Sequence, residues 1–278
     1  MSDPHSVAHA TNAAAHWAVV IDAGPDATRI NQASADSCLT RPALPYYDAE
    51  PDYRWADGVA AALGKIATKA GITLAGRHIL VADDDSQNQP KQAREWWTLL
   101  LFEQLQASTI YIGARSSLAV YTTGKTSGVA CDTHRAIPMC DGVLFEHAVK
   151  RLDGDGSTAI ARAAYDAAKV LESDLDVMQS VLENVVLTGR PAEELAELVP
   201  QVQAKLSAIA AATPHDEIIC GQRARHLHVT VRAAPHGMAA SWFGGSLCAS
   251  LDPGKGMWIR RAEFEAEGAK VVHRKCPL

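Results

Sequence analysis

Two aspartates, Asp22 and Asp132, each follow an apolar run and precede a turn. The runs, residues 17–21 and 128–131, have the composition of buried strands. A carboxylate just past the end of a buried strand is a usual place for a ligand-binding or metal-binding group in an α/β fold. The repeated order of strand, aspartate and turn predicts a duplicated α/β fold with a cleft between two lobes.

Three other groups of potential metal ligands carry less weight. The run Asp83–Asp85 offers three adjacent carboxylates to a cation, but such a run is more often a solvated loop. The stretch Asp153–Gly156 does not have the spacing of a calcium loop. His226 and His228 share a strand face without a third ligand, which is more typical of surface residues.

The cysteines are scattered, with no C-x-x-C pair, and most lie in apolar runs. Buried free thiols in a reducing compartment are therefore favoured over disulfides or a zinc site. The six are Cys38, Cys131, Cys140, Cys220, Cys248 and Cys276.

Periodicity predicts the elements that position the two aspartates. Helices are expected over residues 55–70, 91–104, 145–152, 157–180, 192–212, 242–251 and 261–267, with a short one that ends near Gly124. Strands are expected over residues 17–21, 78–82, 110–112, 128–131, 137–140, 184–187, 218–220 and 227–231. Residues 26–38 hold a return strand and room for a third, and the prolines of residues 41–53 indicate a loop.

Composition limits the class of protein. The chain has 278 residues, 47% of them hydrophobic, which is enough for one large core or two lobes. A formal net charge of -6 argues against a nucleic-acid partner. No apolar run is long enough to span a bilayer, and residues 1–16 lack the pattern of a secretory signal, so we expect a flexible tail there.

Two stretches resemble actin. In residues 110–132, the match to the actin hinge consists of Tyr111, Leu118, Tyr121, Gly124, Thr126, Gly128 and Asp132. The second stretch, residues 241–276, is similar to the end of actin almost residue by residue, through 241–251, 256–259, 263–264 and 272–276. The resemblance extends from about Trp17 to Cys276 and identifies the chain as an actin-related protein of bacterial type in the actin superfamily.

The resemblance implies an α/β fold of the actin-like, duplicated ribonuclease-H-like kind, with two lobes. Residues 17–122 and 240–278 would form the first lobe, which is like actin subdomain 1, and residues 123–239 the second, which is like subdomain 3. Residues 41–53 would be the remnant of subdomain 2. Subdomain 4 would be absent, because residues 153–156 lead almost directly into a helix.

The resemblance also implies a nucleotide site for Mg-ATP or Mg-ADP. The matching positions are Asp22, Gly24, Arg29, Asp132 and Gly189, with Asp22 and Asp132 holding the water shell of Mg²⁺. In actin-like folds the phosphates are held by backbone N–H groups of two turns.

The match at this site is incomplete. Pro25 replaces a serine and removes a backbone donor from the first turn. Arg115 stands where the family has its water-positioning glutamine, and a guanidinium cannot accept a proton from water. Residues 133–136 form a shorter second turn without its glycines, and Arg190 replaces a glycine of the adenosine motif.

These departures leave an alternative open. In a vestigial site, Arg115 or Arg135 would neutralise Asp22 and Asp132, because buried carboxylates need such partners. No catalytic residue is therefore assigned, and the chain is expected to be at most a weak ATPase.

An assembly groove is implied by the remaining matches. Its lining would be Tyr121, Leu247, Cys248, Leu251 and Met257. The chain's own residues 41–53 or 277–278 could cover it instead. We expect a cytoplasmic, cytoskeletal protein that self-assembles into a non-standard filament or ring. The alternatives are a slow ATPase and a non-polymerising subunit that binds another protein in the groove.

Overall fold

The computed structural model describes residues 18–24, 27–33, 35–42, 53–83, 91–154, 156–212, 227–250 and 256–276. The strands are β1 (Val19–Ala23), β2 (Ala27–Gln32), β3 (Leu39–Pro42), β4 (His78–Asp83), β5 (Thr109–Ala114), β6 (Gly128–Cys131), β7 (Arg135–Cys140), β8 (Val143–Leu144), β9 (Lys150–Arg151), β10 (Val185–Leu187), β11 (Val231–Ala233) and β12 (Ile259–Arg260).

The helices are α1 (Tyr53–Lys69), α2 (Lys91–Leu99), α3 (Arg115–Tyr121), α4 (Ser157–Lys169), α5 (Leu175–Leu182), α6 (Ala192–Ala212), α7 (Ala240–Ser250), α8 (Arg261–Glu267) and α9 (Val271–Lys275). A π-helical segment, Leu100–Gln104, continues α2. Among the residues with described coordinates, no helix combines the length and apolar character needed to cross a membrane.

The chain divides into two compact units, Met1–Arg115 with Gly245–Pro277, and Ser116–Gly244. The sheet of the first unit has the order β12-β5-β4-β1-β2-β3. Strands β1, β4 and β5 run parallel, whereas β2 is antiparallel to β1. Strands β1 and β4 are buried on both faces, as expected for central strands of an α/β sheet, whereas Thr109 and Tyr111 of β5 are only partly buried.

The sheet of the second unit repeats this plan in the order β11-β10-β6-β7-β8. Strand β6 pairs in parallel with β10 and antiparallel with β7, as β1 pairs with β4 and β2. Strands β1 and β6 thus each have one parallel and one antiparallel neighbour. Strand β1 contains Asp22, and strand β6 is followed directly by Asp132. The predicted duplication of a strand, an aspartate and a returning strand is therefore seen in the backbone.

The helix predicted over residues 145–152 is wrong. Only Glu146–Ala148 forms a turn of 3₁₀ helix, and Lys150–Arg151 forms strand β9. The reason is a non-local partner: Arg151 lies opposite Arg135 in the ladder with β7, and the Leu152 N–H donates to the His134 carbonyl at 2.7 Å. The apolar spacing of this segment does not reveal that partner.

Three other predicted boundaries need correction. Residues 157–180 form two helices, because Asp174 caps the start of α5 by accepting from two backbone N–H groups. Residues 227–230 are not in a strand, which begins at Val231. The loop predicted for residues 41–53 is bounded by β3, which ends at Pro42, and by α1, which begins at Tyr53. The predicted tail and the strand at 218–220 lie outside the described residues.

Helix α7 contacts α3 through a glycine. A Cβ atom on Gly244 would lie 1.7 Å from the Leu118 carbonyl oxygen and 2.5 Å from its carbon. Those atoms belong to backbone, so they cannot swing aside as a flexible side chain does. The small residues of α7 thus permit a backbone-to-backbone helix contact inside the second unit.

We expect Gly244→Ala to lower the free energy of unfolding by about 3 kcal/mol or more, because the added methyl forces the two backbones apart. Gly64→Ala is the matched control, since Gly64 lies within α1 and a Cβ atom on it would meet nothing within 4 Å. The control should be neutral or more stable by up to about 1 kcal/mol. Denaturant unfolding of both variants measures the difference, and equal stabilities would contradict the contact.

Candidate functional site

In the first unit, Asp22 is fully buried near the end of β1 and contacts two arginines. Arg29 lies directly opposite it in the ladder between β1 and β2, and Arg29 Nη1 is 3.3 Å from Asp22 Oδ2. Arg115, the first residue of α3, places Nε 2.9 Å from Asp22 Oδ1. Each carboxylate oxygen of Asp22 therefore has a guanidinium beside it.

The predicted first phosphate-binding turn is closed on itself. The Gly24 N–H donates to the Ala27 carbonyl at 3.1 Å, so the turn uses this donor internally. The Arg115 guanidinium lies against Gly24: a Cβ atom there would be 2.8 Å from Arg115 Nη2. Arg115 thus reaches both the aspartate and the glycine predicted to form this turn, whereas Pro25 lies outside the described residues.

A further buried carboxylate, Asp83, lies at the same edge of the sheet. It is the last residue of β4 and only 4% exposed. Its neighbour Ala82 pairs with Asp22 across the parallel strands, so both aspartates are at the carboxyl ends of adjacent strands. The sequence favoured a solvated loop here, which is wrong for Asp83. Strand β4 extends one residue further than expected, while Asp84 and Asp85 lie outside the described residues.

In the second unit, Asp132 organises the turn between β6 and β7. Its Oδ1 accepts from the backbone N–H groups of His134 at 2.6 Å and Arg135 at 2.7 Å. Its Oδ2 accepts from Arg135 Nη2 at 3.1 Å. The Asp132 N–H donates to the Arg135 carbonyl, which closes the turn. The backbone donors of His134 and Arg135, which a phosphate-binding turn would present outward, are directed at Asp132.

Gly189 lies next to this turn. Its φ of +79° is in the left-handed region, where glycine is favoured, and a Cβ atom there would lie 3.8 Å from Asp132 Cβ. The structure therefore brings together the two predicted nucleotide-binding residues of the second unit. The neighbouring Arg190, which precedes α6, forms an ion pair with Glu194 in the first turn of that helix.

The observed contacts do not fit a magnesium site at either aspartate. Both oxygens of Asp22 face guanidinium groups, and both oxygens of Asp132 accept hydrogen bonds from the protein. Within the described residues, no group of three or more His, Cys, Asp and Glu side chains is arranged to hold a metal ion. The geometry matches the alternative of arginines that neutralise the aspartates.

The predicted groove residues differ in their exposure. Leu247 on α7 is 54% exposed, although most of its neighbours on that helix are buried. Cys248 is buried, and burial raises the pKa of its thiol to about 11. Met257 is partly exposed, and Leu251 lies outside the described residues. Tyr121 belongs to the second unit, where a Cβ atom on Gly142 would lie 2.7 Å from its hydroxyl oxygen.

The cysteines within the described residues are free thiols, as the sequence predicts: Cys38, Cys131, Cys140, Cys248 and Cys276. Burial raises the pKa of the Cys131 and Cys276 thiols. The latter rises to about 11, so at neutral pH both are protonated and unreactive.

Comparison with known proteins agrees with the resemblance found in the sequence. The sequence model of the family described as Actin matches residues 155–277. Actin-like protein 9 of Mus musculus is 25% identical over 266 residues, which cover 69% of this chain and 64% of that protein. The Bos taurus and Homo sapiens proteins of the same name are 24% and 25% identical with the same coverage. These findings confirm the predicted α/β actin-like fold and support the actin superfamily.

We expect Asp132→Ala to lower the free energy of unfolding by about 1–3 kcal/mol, because two backbone donors and Arg135 lose their acceptor. Asp132→Asn keeps an acceptor oxygen and should cost less than about 1 kcal/mol. Asp166→Ala, at an exposed position of α4, is the control. Denaturant unfolding tests the order, and an Asp132→Ala variant as stable as the control would show that the turn does not depend on this carboxylate.

Proposed function

We propose that this chain is an actin-like cytoskeletal or scaffold protein that self-assembles through the surface around Leu247. The observation that carries the proposal is a large apolar side chain, 54% exposed, on a helix that is otherwise mostly buried. Covering the exposed half of this leucine would contribute about 1 kcal/mol, so that a partner at this position gains stability. The occupant we propose is a second copy of the chain.

Short internal connections support a geometry different from the standard actin filament. Only residues 43–52 separate β3 from α1, and only residues 152–156 separate β9 from α4. Neither interval is long enough for a domain with its own core. We propose that subdomain 4 and most of subdomain 2 are missing, so that contacts between subunits form a ring or a non-standard strand. We further propose that the protein is bacterial and acts in the cytoplasm.

A second candidate is a slow ATPase on the same fold. The residues Asp22, Gly24, Arg29, Asp132 and Gly189 match the family's nucleotide-binding positions and are proposed as the remnant of that site. The Arg115 guanidinium, however, cannot accept a proton from an attacking water. We propose weak nucleotide binding at most, without efficient hydrolysis.

A third candidate is a non-polymerising subunit that uses the same surface for a foreign protein. It shares the exposed Leu247 with the first proposal and differs in the identity of the partner. The mass of the pure protein distinguishes the two, because only self-assembly proceeds without another component.

We expect the mass of the pure protein, measured by light scattering, to rise with concentration. Leu247→Glu should hold it at the monomer, because a buried carboxylate without a partner opposes association. The matched control is Val170→Glu, which places the same charge at another exposed apolar position, 38% exposed, at the end of α4. The control should assemble like the wild type.

Two outcomes would contradict self-assembly through this surface. A wild-type protein that stays monomeric at every concentration would favour the partner-bound subunit. A Leu247→Glu variant that assembles as well as Val170→Glu would place the interface elsewhere.

We expect phosphate release from Mg-ATP to remain far below the rate of an ordinary enzyme, about 1 s⁻¹ or more. A titration with a fluorescent ATP analogue measures binding separately, and a protein-free sample is the control for hydrolysis. Turnover at enzymatic rates would favour the ATPase. If the fluorescence of the ATP analogue does not saturate, the protein does not bind nucleotide and that part of the proposal is wrong.

A further inference from the structure

We infer that Arg115 is a built-in counter-charge that takes the place of a divalent cation at Asp22, so that this buried carboxylate is neutralised without metal or nucleotide. The inference concerns the chain's own stability and goes beyond the proposed assembly. It assigns Arg115 the role of an internal cation at the carboxyl ends of the strands of the first sheet.

The first step is the burial of Asp22. Its carboxylate is completely removed from solvent, and an ionised carboxylate in such a place requires a positive partner. Arg29 faces Oδ2 at 3.3 Å, which leaves Oδ1 to Arg115 at 2.9 Å. The two oxygens are thus divided between the two arginines.

The second step is the charge at this edge of the sheet. Asp22 is the penultimate residue of β1 and Asp83 the last of the adjacent parallel strand β4, and Arg115 directly follows the next strand, β5. Among the described residues, Arg29 and Arg115 both lie at Asp22. Removal of the Arg115 charge leaves the buried Oδ1 of Asp22 without its guanidinium, and a carboxylate oxygen is the kind of ligand that a divalent cation prefers.

The third step is the packing of Arg115. Its guanidinium lies so close to Gly24 that a methyl group there would be 2.8 Å from Nη2. The glycine therefore admits the guanidinium to its place beside Asp22. Gly24 does not have a positive φ, so an alanine there keeps the backbone conformation and displaces chiefly the Arg115 guanidinium, although its methyl group would also lie 3.1 Å from the Ala27 carbonyl oxygen.

Thermal unfolding in EDTA and in millimolar Mg²⁺ tests the inference, at concentrations where the wild type is monomeric. We expect one melting temperature for the wild type under both conditions. Arg115→Gln should melt several degrees lower in EDTA and recover part of that loss in Mg²⁺. Arg115→Lys keeps the charge and should show a smaller loss with little response to Mg²⁺.

Two further variants keep the test decisive. Arg274→Gln removes an arginine from the exposed ion pair with Glu267 and should not create a response to Mg²⁺. Gly24→Ala displaces Arg115 and should reproduce the Mg²⁺ response if Arg115→Gln does not fold.

The inference is overturned if the wild type loses stability in EDTA, since it would then depend on a metal. It is also overturned if Arg115→Gln and Gly24→Ala are destabilised but ignore Mg²⁺, because Arg115 would then be a packing residue only. These readings do not depend on self-assembly, so failure here and failure of the proposed function are separate results.

Discussion

A buried carboxylate needs a positive partner, and the first unit meets that need at Asp22 with residues from three elements. Arg29 is placed by its register in the β1–β2 ladder, and Arg115 by the start of α3 directly after β5. The turn at Gly24 leaves room for the guanidinium. The order of strands, the entry into α3 and the choice of glycine thus depend on one electrostatic requirement.

The second unit repeats the backbone but solves the problem differently. Asp132 is only partly buried, and it is satisfied mainly by the backbone N–H groups of its own turn, with Arg135 as a local partner. The partners of this carboxylate therefore come from within three residues of it. The duplicated strands therefore place an aspartate at the same position in both units. The partners that satisfy each carboxylate differ, because the burial of the aspartate and the length of its turn differ.

Sequence reasoning predicted the strands that end in aspartate because their signal is local. It also posed the alternative in which arginines neutralise the aspartates, and the contacts at Asp22 and Asp132 have that arrangement. At Asp22 the contact with Arg115 depends on the order of β1, β4 and β5, which no local pattern contains, whereas Arg135 is only three residues from Asp132. The same limit explains the wrong helix at residues 145–152 and the missed burial of Asp83, since each depends on a neighbouring strand that is distant in sequence.

Helix α7 carries both a close backbone contact, at Gly244, and an exposed apolar side chain, Leu247. Gly244 lets the helix approach the backbone of Leu118, and Leu247, three residues further on, faces solvent. The backbone of a formed helix is already ordered, so that binding at Leu247 has to immobilise only side chains. A flexible loop in its place would have to be ordered first. The assembly surface proposed around Leu247 therefore lies on a helix whose backbone needs no ordering before a partner binds.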